Sequence, residues 1–144
     1  MIIEFFVPGH CQAKQRPFVT KTGTFTRKQT VAFLNKVALF ASQAMKGRQS
    51  LTDAIRLEIV FILPRPKAHF DSRGEIKDRY KLLEHTKRPD LDNLIKSIKD
   101  ACNKIIWNDD SQIYCFNACY KRYQNENDQL GCLVRVETTG ENNV

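Results

Sequence analysis

Between residues 54 and 63 a large apolar side chain stands at every second position: Ile55, Leu57, Ile59, Phe61 and Leu63. A period of two places all five on one face of an extended strand, and Pro64 and Pro66 end the run. The chain carries two helical repeats to set beside that strand. Over residues 27–46, Val31, Phe33, Leu34, Val37, Ala38, Phe40, Ala41 and Met45 recur at helical spacing as far as Gly47, and from Leu94 the positions Leu94, Ile95, Ile98, Ala101, Cys102 and Ile105 do the same to about Lys104. Further strands are expected over residues 2–7, in a short hairpin turning at Lys21-Thr22-Gly23, and over residues 112–123 and 130–138. The order is strands, helix, strand, helix, paired strands. It predicts a single α+β domain over residues 1–144, with two main helices packed on a mixed or mainly antiparallel sheet.

Other features bound the class of protein. With 144 residues and 42% apolar content, the chain can build one core of ordinary size. No apolar run approaches the roughly 20 residues that span a bilayer, and the first residues lack the basic region of a signal peptide. Five cysteines, an odd number without a CxxC, fit reduced thiols in a cytoplasmic protein better than a disulfide framework. Cys115 and Cys119, four apart in a strand, are expected to share a face and to pack there. Residues 65–88 hold eight basic and four acidic residues and few aliphatics, a basic loop long enough to be functional or mobile, with a short exposed helix near residues 77–84. The last four residues, 141–144, are expected to fray.

The net charge of +7 is unevenly spread. Residues 1–50 carry eight basic side chains against Glu4 alone, so the remaining 94 residues are neutral in sum. A polyanion partner is a natural reading, although a solvated basic face gives the same count.

The informative stretch for chemistry is Lys87-Arg88-Pro89-Asp90-Leu91-Asp92-Asn93-Leu94-Ile95-Lys96, followed one helix later by Asp109-Asp110. Extended backbone at Asp90-Leu91-Asp92 would put two carboxylates on one side with Cα atoms ~6.6 Å apart, whereas a helix would splay them by some 200°. Sharing a metal therefore requires both at the mouth of the helix. Lys96, four residues beyond Asp92, lies on the same helical face. Three carboxylates and a lysine suit metal-assisted phosphodiester hydrolysis: Mg²⁺ takes oxygen ligands and activates water, and a lysine stabilises charge growing on phosphate. Whether the second acidic pair returns to the first depends on tertiary packing. The same acids could instead cap a helix and form a turn.

Asp90-Leu91-Asp92-Asn93-Leu94-x-Lys96, then Asp100, then Asp109-Asp110-Ser111-Gln112 resembles the signature of the RusA family of Holliday junction resolvases of bacteria and their phages. Gly9 followed by Lys14-Gln15-Arg16-Pro17 is similar to the family's opening. The resemblance implies an endonuclease dependent on Mg²⁺, with Mn²⁺ as a substitute and no organic cofactor. It would act as a homodimer, without a membrane, and make paired nicks in four-way DNA junctions during recombination and repair, in a bacterial cell or from a phage gene. By position, Asp90, Asp92 and Asp110 would bind metal, Asp109 being the alternative within its pair, and Lys96 would be the catalytic lysine; Asp100 also matches and is given a structural role. Lys14, Arg16, Lys87 and Arg88 are the expected grips on neighbouring phosphates. A PD-(D/E)xK nuclease is disfavoured because Glu75-Ile76-Lys77 precedes Pro89-Asp90. The rival from another class is a noncatalytic basic module that binds nucleic acid.

Overall fold

The computed structural model describes residues 1–14, 18–25 and 27–139. In chain order they form β1 (Ile2–Pro8), β2 (Phe18–Thr20), β3 (Gly23–Phe25), α1 (Lys28–Met45), β4 (Ile55–Leu63), α2 (Leu91–Cys102), β5 (Ile113–Tyr123) and β6 (Gly131–Thr138). The architecture is α+β, as the patterning predicts, with β2 and β3 as a separate hairpin. The main sheet is mixed: its order is β1-β6-β4-β5, antiparallel at β1–β6 and β4–β6 and parallel at β4–β5.

One pairing differs from expectation. β5 and β6 are not partners, because β4 lies between them. The reason is the apolar run itself: Ile55, Leu57, Ile59 and Phe61 are wholly buried, which suits an inner strand covered by helices. A parallel β4–β5 pair then requires a crossover, formed by residues 64–90 and α2.

Both helices contribute to the core. α1 buries Phe33, Val37, Ala41 and Met45, and α2 buries Leu94, Ile98, Ala101 and Cys102, in one cluster with Ile3, Phe5 and Val7 of β1 and Val134 and Val136 of β6. α2 begins three residues before the apolar spacing suggests. Asp90, with extended backbone (φ −69°, ψ 138°), occupies the N-cap, and its carbonyl accepts from the amide of Leu94 at 3.1 Å.

β5 is offset from β4 at two points, between Ile55 and Arg56 and again, as a bulge, between Leu57 and Ile59. Leu57 of β4 is level with Phe116 and Ile59 with Cys119, so a step of two residues on one strand meets a step of three on the other. The extra residue reverses the alternation. Cys115, level with Arg56, and Cys119, level with Ile59, therefore lie on opposite faces rather than on the shared face expected from their spacing. Beyond the bulge, Lys121 and Tyr123 fall level with Phe61 and Leu63, on the side that the helices cover.

The basic crossover loop is fastened rather than loose. Arg65 is nearly buried and its guanidinium donates to the carbonyls of Gln124 (2.7 Å) and Tyr80 (2.9 Å), to Asn125 Oδ1 (2.9 Å) and to His69 Nδ1 (3.1 Å). A guanidinium has no acceptor, so Nδ1 of His69 must accept and that imidazole is neutral. His69 stacks on Tyr80 with ring centres 4.3 Å apart and meets Tyr123 edge-on, while His85 covers Tyr123 at 4.4 Å. The short helix expected near residues 77–84 is one 3-10 turn, Asp78–Tyr80.

Candidate active site and nucleic-acid interface

The end of this loop and the start of α2 form one wall of an open cleft of about 1420 Å³. Arg88, Pro89, Asp90, Asn93 and Lys96 line that wall; Gln12, Ala13 and Lys14 line a second, and Arg27, Gln29 and Thr30 at the start of α1 line a third. Four cations thus surround one carboxylate. The chain enters the second wall against α2, where the Lys14 amide donates to the Asn93 carbonyl (2.9 Å) and Ser97 Oγ donates to the Gln12 carbonyl (2.8 Å).

Asp90 holds the N-cap position without performing its usual work. Its side chain makes no capping hydrogen bond, which leaves both carboxylate oxygens uncommitted in the cleft. Asp92 is exposed in the first turn of α2, and its Oδ1 accepts only from the next amide, Asn93, at 3.0 Å. Lys96 follows on the same face and has no ion-pair partner among the described residues.

The second acidic pair lies elsewhere. Asp109 caps the 3-10 turn Asp110–Gln112: its carboxylate accepts from the Ser111 amide at 2.9 Å, and Gln112 Oε1 accepts from the Asp109 amide at 2.8 Å. Hydrogen bonds from Ser111 hold the Asp109 carboxyl below the usual carboxylate range. Asp110 accepts from the indole Nε1 of the buried Trp107 at 2.8 Å. Ile106, next to that tryptophan, donates its amide to the Cys102 carbonyl at 2.9 Å, which places Asp110 near the C-terminal end of α2, and burial, reinforced by the charge of Asp110, pushes the Cys102 thiol well above its ordinary value. Asp90 is at the other end of that 12-residue helix, a rise of roughly 18 Å at 1.5 Å per residue. Packing within one chain therefore keeps Asp110 away from Asp90 and Asp92. Among the described residues, no three acidic, histidine or cysteine side chains are grouped to hold a metal ion.

The basic residues also divide. Arg88 and Lys14 line the cleft, but the Lys14 ammonium is 2.6 Å from Asp100 Oδ2, with both side chains about 40% exposed. An exposed pair of this kind is worth at most ~1 kcal/mol, so Lys14 can exchange Asp100 for a phosphate at little cost. Lys87 is exposed and engaged through its backbone carbonyl, and Arg16 lies outside the described residues. Arg27, which no motif singles out, joins the lining through its place at the N-cap of α1.

The family described as Endodeoxyribonuclease RusA matches the chain over residues 8–136. Bacillus subtilis (strain 168) has a relative, "Uncharacterized protein YqaN", that is 31% identical over 104 residues, covering 72% of this chain and 71% of that protein. No helix among the described residues is long and apolar enough to cross a membrane.

Proposed function

This chain belongs to the RusA endodeoxyribonuclease family, and from that membership we propose that it resolves four-way DNA junctions by metal-assisted phosphodiester hydrolysis in recombination and repair. The observation that carries the proposal is the carboxylate of Asp90, free of any capping hydrogen bond, in a cleft whose other charged lining residues are Lys14, Arg27, Arg88 and Lys96. A helix cap would have occupied that carboxylate, and a purely basic binding groove would have no use for it.

The donor set suits Mg²⁺, which binds through one or two carboxylates and completes its shell with water and phosphate oxygens. Asp90 and Asp92 would hold it, and Mn²⁺ would substitute; when bound, the ion lowers the pKa of water and draws charge from the phosphate. The side chains do the rest. Lys96 stabilises negative charge on the phosphate as the nucleophile adds. Arg88, Arg27 and Lys14 bind flanking phosphates, and Lys14 gives up Asp100 in doing so. Asp110 enters a metal site only from a second chain, in a two-fold dimer matched to the two-fold character of the junction.

The test is a synthetic four-way junction incubated with and without Mg²⁺. Wild-type protein should introduce paired nicks, and Asp90→Asn should bind the junction while cutting it about 100-fold more slowly or less, the scale on which loss of a transition-state contact is felt. Binding without cutting by the wild type, in both Mg²⁺ and Mn²⁺, would leave the noncatalytic binding module as the correct description.

A further inference from the structure

Three consecutive side chains at the end of β5 tie down three separate segments. Tyr123 lies beneath His69 and His85 of the crossover loop, and Arg122 donates to Asp128 Oδ2 at 2.5 Å, closing the turn into β6. The third, Lys121, reaches in the direction of the cleft. Its ammonium donates to the carbonyl oxygen of Lys87 at 2.5 Å and to that of Pro89 at 2.8 Å. These two carbonyls flank Arg88 and immediately precede Asp90.

We propose that Lys121 is a positioning residue of the site: by bridging the Lys87 and Pro89 carbonyls it fixes the backbone that aims Arg88 and Asp90 into the cleft. The inference rests on the reading of that cleft as the nuclease site. An ammonium has three donors, and two of those of Lys121 are spent on backbone carbonyls. The segment needs such a tether. Pro89 has no amide to donate, and the next backbone anchor is the α2 hydrogen bond from Leu94 to the Asp90 carbonyl. Without Lys121, the chain between the Arg65-anchored loop and α2 would retain few contacts to fix its direction. A displacement of ~1 Å at a catalytic group is enough to cost about 100-fold in rate.

Lys121→Met keeps the length of the stem and removes the donors. Amide hydrogen exchange over residues 86–92 should accelerate about tenfold in K121M and return toward wild type in Lys121→Arg. Junction turnover should fall about 10- to 100-fold in K121M and recover in K121R, while the junction Kd stays within about threefold and its salt dependence is unchanged. Wild-type exchange and turnover in K121M would overturn the proposal. So would weakened binding with a salt slope lowered by about 0.9, which would make Lys121 a phosphate contact instead. Should K121M fail to melt cooperatively, Lys121→Gln takes its place, its side chain being too short to reach both carbonyls; faster exchange over the same residues supports the tether and wild-type exchange refutes it. If wild-type protein cuts no junction, the nuclease reading fails, and the exchange data still decide whether Lys121 holds the segment.

Discussion

On the proposed function, the exposed Lys14–Asp100 pair would regulate access to a phosphate site, since the 2.6 Å contact occupies a lysine that the cleft would otherwise present to DNA. Asp100→Asn should therefore raise junction affinity and steepen the plot of log K against log salt by up to about 0.9, and Lys14→Ala should flatten it by a similar amount. Salt titrations of both variants that match wild type would remove Lys14 from the interface. Residue spacing could not distinguish Asp109 from Asp110, because their difference lies in partners: Asp109 is spent on a capping box, and Asp110 on an indole nitrogen brought from the core. Nor could spacing reveal that Asp90 would take the N-cap backbone position while withholding its side chain. That depends on side-chain torsions, which the sequence does not encode locally.

The elements that patterning identified were those whose apolar residues repeat. α1 and β4 came within a residue or two of their observed ends, since each buries a regular stripe. The crossover loop repeats nothing. Its organisation comes from Arg65 turned inward onto residues 15 to 60 positions away, and from aromatic contacts of His69 and His85 with Tyr123 on another element, none of which leaves a local signature. This cluster has a pH consequence. His69 is held below the ordinary histidine value by burial and then by Arg65 and Lys77, and His85 by burial and then by Lys121. Above pH ~6.5 both are neutral whether folded or unfolded, and the fold keeps its full stability; below it the unfolded chain takes up protons that the fold resists, so stability declines. His85→Phe keeps a ring on Tyr123 and removes a buried Nδ1 that has no hydrogen-bond partner. Urea midpoints measured from pH 7 to 5 should fall less steeply for H85F than for wild type. An identical slope would mean that His85 takes up its proton equally readily in the folded and unfolded chain.

At the scale of the molecule, net charge and chemistry occupy different parts of the chain. The basic excess lies in residues 1–50, whereas the candidate metal-binding acids fall in the neutral remainder. Folding brings them together by laying residues 12–14 along α2. On the proposed metal site, the separation of Asp90 and Asp110 would let their carboxylates cooperate only between chains. Mixing Asp90→Asn with Asp110→Asn protein tests it directly. In a mixed dimer with shared sites, one site carries both substitutions and the other none, so nicking returns although each variant alone is inactive. If each chain held a complete site, every site in the mixture would be damaged and no activity would return. Paired cuts should remain absent in the mixture in either case, because at most one intact site exists per dimer.

The bulge in β5 has a consequence for how this fold could diverge. Along a strand, side-chain direction is a matter of parity, and the bulge between Phe116 and Cys119 sets that parity for everything after it. Odd-numbered residues then face the helices, which gives Lys121 to the Lys87 and Pro89 carbonyls and Tyr123 to the loop, while Arg122 is left for the turn into β6. Pairing the strand at its present length without the bulge would exchange these assignments, presenting Tyr120 and Arg122 to the helix side. Register at this point therefore carries as much functional information as residue identity.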